Sequence, residues 1–160
     1  ERMRGVLDRL ALAAGAARAR PTETHGVDDW LRDLLAHWQL MWPKARASLV
    51  LIGSEPAPRV RDDAILVSVL AGLLNNAARV SPEHIELQAE WDGNALRLGV
   101  LDRGPGLPVD PVAPSGWGVG LDLARAAIER FGGELSIAER EGGGLAVDLR
   151  LPLSALGRRE

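Results

Sequence analysis

The stretch LAGLLNNAARVSP, from Leu70 to Pro82, contains two adjacent asparagines inside an apolar helical pattern. Asparagine is unfavourable in a helix interior, because its side chain competes for backbone hydrogen bonds. On a helical wheel of residues 62–80, one apolar stripe is formed by Leu66, Val69, Leu70, Leu73, Leu74 and Ala77. Asn75 lies opposite this stripe and Asn76 lies at its edge. The pattern therefore predicts a solvated Asn75, and an Asn76 that faces either a cleft or a neighbouring loop.

The bulk composition indicates one soluble globular domain. The chain has 160 residues, of which 46% are hydrophobic and 26% charged, enough for a packed core. A formal net charge of −3 gives no reason to expect nucleic-acid binding. The absence of cysteine excludes disulfides and thiolate metal sites in this chain. No apolar run reaches the ~20 residues of a membrane span, so we expect no membrane contact by this fragment.

Hydrophobic periodicity predicts an α+β fold, a two-layer α/β sandwich with a mixed, mostly antiparallel sheet and helices on one face. Four helices are predicted. They cover residues 1–19, a segment that ends at about Trp42, residues 62–80 and residues 118–131. The second helix has either Asp28 or Asp29 as its N-cap. The predicted strands cover residues 47–53 (a buried strand), 84–91, 95–102, 134–140 and 145–151, and a short strand is possible within residues 20–26. The turns DGN (92–94) and EGGG (141–144) each join two strands into a hairpin.

The first predicted helix has apolar residues at the spacing of a coiled-coil seam, which are Met3, Val6, Leu7, Leu10 and Ala14. An ordinary packed helix fits this short segment equally well. Glu1 stands in the middle of the helical pattern, so we expect the chain to be a piece of a longer protein.

Asp102 follows the strand 95–102 on the face of its inward apolar residues, Leu96, Leu98 and Val100. A carboxylate in that position is costly unless specific donors satisfy it. Gly104 and Gly106 come next and would let a ligand approach the backbone closely. Asp102 either meets such a ligand or caps its own turn.

Alternate glycines, Gly116, Gly118 and Gly120, precede a predicted helix in SGWGVGLDLA (115–124). Such glycines expose backbone N–H groups beside the positive end of the helix dipole, which favours anions. The spacing G-x-G-x-G is not that of the dinucleotide fingerprint, and no Gly-Lys-Ser/Thr of a P-loop follows. Taken by itself, the motif indicates an anion site without naming the anion.

Taken together and in this order, an Asn in a helix, Asp-x-Gly-x-Gly and Gly-x-Gly-x-Gly-Leu resemble the Bergerat ATP-binding fold of gyrase, heat-shock protein 90, mismatch-repair and histidine-kinase ATPase domains. The resemblance spans Asp28 to Pro152 and is greatest to the catalytic and ATP-binding domain of bacterial sensor histidine kinases. The ending NNAARVSP is similar to that of Reg/Prr-type redox-responding kinases. The resemblance implies a dimerisation-helix end at 1–19, an ATP-binding domain at 20–153 and a tail at 154–160.

The resemblance also implies a role for each motif residue. Asn76 would hold Mg²⁺ against the triphosphate of ATP, Arg79 would reach a phosphate, and Asp102 would accept a hydrogen bond from the adenine amine. The glycines would let the backbone pass close to the base (Gly104 and Gly106) or offer N–H groups to the phosphates (Gly116, Gly118 and Gly120), with Leu121 starting the helix.

Three features depart from the family pattern. Gly72 stands where sensor kinases carry another Asn and hydrolytic relatives carry a Glu, so no general base for a gyrase-like ATPase is evident. The segment LPVDPVAPS (107–115), between the glycine motifs, is short and has no phenylalanine. Trp117 lies inside the second glycine motif, where small or polar residues are usual.

The implied function is transfer of the ATP γ-phosphoryl group to a histidine on a dimerisation domain. None of His25, His37 and His84 has a phospho-acceptor context, so we expect the acceptor upstream and no autophosphorylation by this fragment alone. The expected partners are ATP, the dimerisation domain and a response regulator, in a homodimeric parent. The expected location is the cytoplasmic side of an inner-membrane sensor. Two alternatives stay open, a degenerate binding or interaction module and an anti-sigma-type serine kinase.

Overall fold

A five-stranded sheet dominates the computed structural model, which describes residues 24–105 and 119–156. The strands are β1 (Thr24–Gly26), β2 (Ala47–Ile52), β3 (Arg59–Arg61), β4 (Ile85–Trp91), β5 (Ala95–Leu101), β6 (Glu134–Glu139) and β7 (Leu145–Pro152). The helices are α1 (Val27–Met41), α2 (Ala64–Val80), α3 (Val119–Arg130) and the short α4 (Leu153–Leu156). The predicted helix at 1–19 lies outside the described residues.

The strand order in the main sheet is β2-β4-β5-β7-β6. Strand β2 runs parallel to β4, and the other neighbours are antiparallel, which confirms the mixed, mostly antiparallel sheet. The registers place Leu87, Val100 and Val147 side by side on the buried face, against which the helices pack. Strands β1 and β3 form a separate two-stranded sheet. The two-layer α+β prediction is therefore confirmed.

Two predictions about individual elements, the burial of β2 and the start of α1, were wrong. Strand β2 is half-buried rather than buried, because within the described residues it pairs only with β4 and forms an edge of the sheet. The N-cap of helix α1 is Gly26, which has no side chain to accept a capping hydrogen bond. Neither Asp28 nor Asp29 is therefore the N-cap. Both carboxylates instead lie in the first turn of α1, where the helix dipole favours negative charge.

The predicted hairpin at DGN is present and is closed by Asp92. Its Oδ1 accepts hydrogen bonds from the backbone N–H groups of Asn94 (2.7 Å) and Ala95 (2.9 Å). These two donors stabilise the charged carboxylate and lower the pKa of Asp92 below its ordinary value.

No helix within residues 24–105 and 119–156 is long and apolar enough to span a membrane.

Asn75 is buried, contrary to the prediction of a solvated side chain. Its Oδ1 accepts hydrogen bonds from the indole Nε1–H groups of Trp38 and Trp42, each at 2.9 Å. The two indole rings stack, with centroids 6.2 Å apart and planes inclined by 19°. The side of α2 opposite its apolar stripe is therefore covered by the end of α1. Asn75 joins these two helices through one oxygen atom.

We predict that Asn75→Ala lowers the free energy of unfolding by about 2 to 4 kcal/mol, because two indole N–H groups lose their acceptor and each unsatisfied buried donor costs about 1 to 3 kcal/mol. Urea denaturation measures the change. The matched control is Asn76→Ala, on the same helix but only half-buried, which should cost far less. Equal losses in the two variants would contradict the role assigned to Asn75.

Candidate functional site

A cleft of about 470 Å³ lies between helices α2 and α3. Asn76, Arg79 and Gly120, three of the residues singled out from the sequence, line it together. Asn76 is half-buried and Arg79 is exposed in the last turn of α2. Most of the remaining wall is apolar, formed by Ala64, Ile65, Val69, Leu73, Leu123, Ala124 and Ala127. The cleft thus combines an apolar wall with one amide, one cation and the hydroxyl of Ser68.

Helical spacing explains why these polar groups share a wall. Gly72, Asn76 and Arg79 are four and three residues apart on α2, so they follow one another along the same side. A Cβ atom built on Gly72 or on Gly120 would meet nothing within 4 Å. Gly120 lies in the first turn of α3, where backbone N–H groups have no partner within the helix. The cleft is therefore open at both helices.

The described residues contain no cluster of three or more His, Cys, Asp or Glu side chains that would hold a metal ion. A cation in the α2–α3 cleft would therefore take the Asn76 amide oxygen and obtain its other oxygen ligands from a bound molecule or water. Mg²⁺ is commonly bound in this way, with few protein ligands and several from phosphates and water. The donor set fits a magnesium–phosphate complex better than a free ion.

Asp102 is buried after the end of β5, as predicted. Its Oδ1 accepts hydrogen bonds from the backbone N–H groups of Gly104 (2.9 Å) and Leu145 (3.1 Å). The first of these closes the Asp102 turn, and the second comes from strand β7. Within the described residues, these hydrogen bonds involve Oδ1 and none reaches Oδ2. Two roles were considered for Asp102, as the cap of its own turn and as a contact of a ligand. These two roles are therefore compatible.

The β6–β7 hairpin packs directly on the backbone of Asp102. Gly144 is buried with φ of 109°, and a Cβ atom there would lie 2.0 Å from the Asp102 carbonyl oxygen. Arg140 Nη1 donates to that same carbonyl oxygen at 2.9 Å. Arg103 Nη1 donates to the carbonyl oxygens of Glu141 (2.8 Å) and Gly143 (2.7 Å). This support was not predicted from the sequence, where its signal is the run of three glycines at 142–144.

Gly104 connects Asp102 to helix α2. A Cβ atom on Gly104 would lie 2.6 Å from Val80 Cγ2, so only a glycine lets this loop pack against the helix end. Val80 follows Arg79 and lies one helical turn beyond Asn76. The Asp102 loop therefore reaches the same end of α2 as Asn76 and Arg79, although Asp102 itself does not line the α2–α3 cleft.

The remaining sequence candidates fall into three groups. Leu121 is buried in the hydrophobic core and helps to fix α3. Gly106, Gly116 and Gly118 lie outside the described residues, as do Trp117 and the segment 107–115. His37 donates from Nδ1 to the Asp33 carbonyl oxygen at 2.8 Å, and neither His25, His37 nor His84 lines the α2–α3 cleft.

We predict that Gly144→Ala destabilises the fold by more than about 2 kcal/mol, because the new methyl group overlaps the Asp102 carbonyl and the hairpin must shift. Gly143→Ala is the matched control. Gly143 has a similar φ of 105°, but a Cβ atom there meets nothing within 4 Å. Backbone strain is thus the same in both variants, and urea denaturation should show a clearly larger loss for Gly144→Ala. Equal losses would mean that strain alone, and not the contact, requires glycine.

Comparison with known families gives one match that covers more than half of the chain. Residues 61–155 match the model of the histidine kinase-, DNA gyrase B-, and HSP90-like ATPase family. The match includes helix α2, the Asp102 loop, α3 and the final hairpin, which are the elements that form the cleft and support Asp102.

The similar curated proteins are sensor kinases. The sensor protein kinase CarS of Pseudomonas aeruginosa is 34% identical over 63% of this chain, which covers 25% of CarS. The sensor protein KdpD of Mycobacterium tuberculosis is 28% identical over 92% of this chain, which covers 19% of KdpD. The chain therefore spans about a quarter or less of the length of these relatives.

Solved structures share the fold at lower identity. The catalytic domain of histidine kinase ThkA has a TM-score of 0.64 and 21% identity, covering 81% of this chain and 95% of that domain. The mycobacterial sensor histidine kinase MprB has a TM-score of 0.59 and 20% identity, covering 81% of this chain and 96% of that structure.

Proposed function

Because the chain belongs to the histidine kinase-, DNA gyrase B-, and HSP90-like ATPase family, we propose that it is the catalytic and ATP-binding domain of a sensor histidine kinase. ATP is the ligand that the family implies. One observation carries the assignment of the site, namely that Asn76, Arg79 and Gly120 meet in one cleft beside the helix end that contacts the Asp102 loop.

In this proposal Asp102 recognises the base. Its Oδ1 is occupied by backbone donors, so the position of the carboxylate is fixed before a nucleotide arrives. The remaining oxygen, Oδ2, would accept the hydrogen bond of the adenine exocyclic amine. Guanine carries a carbonyl oxygen at the corresponding position and would place an acceptor against an acceptor. The arrangement therefore favours adenine over guanine nucleotides.

The triphosphate would lie in the α2–α3 cleft. Asn76 would supply a protein oxygen to Mg²⁺, Arg79 would contact a phosphate from the rim, and the N–H groups near Gly120 would face the anion. Bound Mg²⁺ would neutralise part of the phosphate charge. Gly106, Gly116 and Gly118 stay proposed nucleotide contacts, on the resemblance alone. Leu121 does not start its helix as expected, since α3 begins at Val119 and Leu121 is the third residue of its first turn.

The proposed reaction moves the γ-phosphoryl group of ATP to a histidine nitrogen. The bond between the γ-phosphorus and the bridging oxygen breaks, a P–N bond forms, and ADP leaves. In such transfers the protein contributes mainly positioning and charge stabilisation. Gly72 offers no side chain that activates water, so the cleft supports transfer to a partner rather than hydrolysis.

The other proposed partners belong to the whole protein. The relatives are named as sensor proteins, and this supports a separate dimerisation domain with the acceptor histidine, a homodimeric parent, a response regulator and a place at the inner membrane. The same names favour a histidine kinase over an anti-sigma-type serine kinase. A degenerate module would bind nucleotide without phosphorylating an added dimerisation domain from the same protein. Mixing the two domains with ATP therefore distinguishes a degenerate module from a histidine kinase.

We predict that this chain binds a non-hydrolysable ATP analogue with micromolar affinity and more tightly with Mg²⁺ than without it. Calorimetric titration measures both affinities. In Asn76→Ala the gain from Mg²⁺ should disappear, because the cleft loses its oxygen ligand. The matched control is Asn94→Ala, an exposed asparagine in the β4–β5 turn, which should bind as the unaltered chain does. A full magnesium effect in Asn76→Ala would refute the metal role, and no binding at millimolar nucleotide would refute the site.

For Asp102→Ala we predict roughly tenfold or greater loss of affinity for the ATP analogue, because a hydrogen bond to a charged acceptor is worth about 1.5 to 3 kcal/mol. Binding of the matching GTP analogue is weak from the start and should not fall further. Parallel titrations of the two nucleotides measure this difference. Equal losses for both would show that the substitution disturbs the loop and that Asp102 does not select the base.

A further inference from the structure

A second cleft, of about 580 Å³, lies at the end of the main sheet where β2 and β4 begin and β5 ends. Four basic side chains line it, which are Arg46, His84, Arg103 and Arg140. It shares no lining residue with the α2–α3 cleft. We call it the arginine cleft, and the proposed nucleotide site does not use it.

Two of these arginines are held in place by backbone groups. Arg140 Nη1 donates to the Asp102 carbonyl oxygen, and Arg103 Nη1 donates to the carbonyl oxygens of Glu141 and Gly143. A guanidinium group has five N–H donors, so each of them keeps most of its donors for a ligand. Because carbonyl groups fix the two guanidinium groups before a ligand binds, little side-chain entropy is left to lose.

Among the described residues, side-chain ion pairs lie away from the arginine cleft, between Arg32 and the two aspartates of the first turn of α1. Within residues 24–105 and 119–156, no carboxylate forms an ion pair with Arg46, Arg103 or Arg140. Guanidinium groups bind tetrahedral phosphate through paired hydrogen bonds, and three of them around one cleft suit an anion with several acceptor oxygens.

Two carboxylates at the wall limit the kind of anion. Glu83 and Glu86 also line the cleft, and Glu86 accepts a hydrogen bond from Gln88. An extended polyanion would meet these carboxylates along the wall, so the cleft favours a compact anion that needs few contacts. We propose that the arginine cleft binds a small molecule that carries one or two phosphate groups. This inference does not depend on the proposed kinase activity.

Pyrophosphate is a suitable probe, and NMR of the arginine side-chain Nε–H signals reports directly on the three guanidinium groups. The titration is made with the ATP analogue and Mg²⁺ at saturation, so that the α2–α3 cleft is occupied. We expect saturable shifts of the Nε–H signals of Arg46, Arg103 and Arg140. Shifts that are absent, or that grow in proportion to concentration without saturating, would overturn the proposal.

Arg46→Ala is the informative variant, because the side chain of Arg46 is exposed and holds no described part of the fold. It should weaken pyrophosphate binding about tenfold or more, with Arg46→Lys intermediate because the ammonium group lacks the paired donors. Arg130→Ala, which removes an exposed arginine from the end of α3, is the matched control and should bind pyrophosphate unchanged. Equal affinity in Arg46→Ala and Arg130→Ala would overturn the site.

Two further arms separate the possible ligands. Succinate should bind much more weakly than pyrophosphate, and equal binding would overturn the assignment to phosphate. Saturable shifts that are present without the ATP analogue and are lost when it is at saturation would show that the signals report the nucleotide site, and this would also overturn the proposal. If the ATP analogue does not bind, the pyrophosphate titration still tests the arginine cleft directly. The proposed nucleotide site and the arginine cleft can therefore be refuted independently of each other.

Discussion

A carboxylate buried at the end of a strand must find donors for its charge, and much of this fold provides them for Asp102. Its Oδ1 accepts from its own turn and from strand β7, and its carbonyl oxygen accepts from Arg140. This arrangement requires the β6–β7 hairpin to pack so closely on Asp102 that a methyl group at Gly144 would overlap the Asp102 carbonyl oxygen. The final two strands therefore do more than complete the sheet, since they hold the carboxylate that is proposed to select the base.

Helix α2 divides its surface among three neighbours. Its apolar stripe faces the sheet, Asn75 faces the tryptophans of α1, and Gly72, Asn76 and Arg79 face the cleft with α3. A helix with neighbours on three sides has little freedom to rotate. This restraint places an amide and a cation beside α3 without any hydrogen bond from those side chains to the rest of the described structure.

The sequence predicted the fold well because its signals were periodic. Alternating strands, the DGN turn and the apolar stripe of α2 each follow from neighbours a few residues away, and the structure confirms them. Asn75 was misjudged because one helical wheel shows only one packing partner. The two indole donors come from Trp38 and Trp42 at the end of another helix, and no pattern within residues 62–80 indicates their presence.

The candidate site was predicted unevenly for the same reason. Asn76, Arg79 and Gly120 were found from their motifs, and the structure places them in one cleft. The support of Asp102 by Gly144 and Arg140 was not found, because it depends on a contact between β5 and a hairpin some 40 residues later in the chain. The arginine cleft likewise joins residues from four loops that are distant in the chain and have no shared motif.

The adjacent asparagines of α2 have a consequence for how this domain tolerates insertions and deletions. Each residue of an α-helix is turned by about 100° from the one before it. Loss of one residue within α2 before Asn75 would turn its amide away from the indoles and bring the Asn76 amide to the position that faces them. Gain of one residue would instead bring the Asn75 amide to the position that faces the cleft. In either case both sites would change their side chain while both asparagines remained in the sequence. Substitutions in this stretch can therefore accumulate one at a time, whereas a change in length affects the core and the cleft at once.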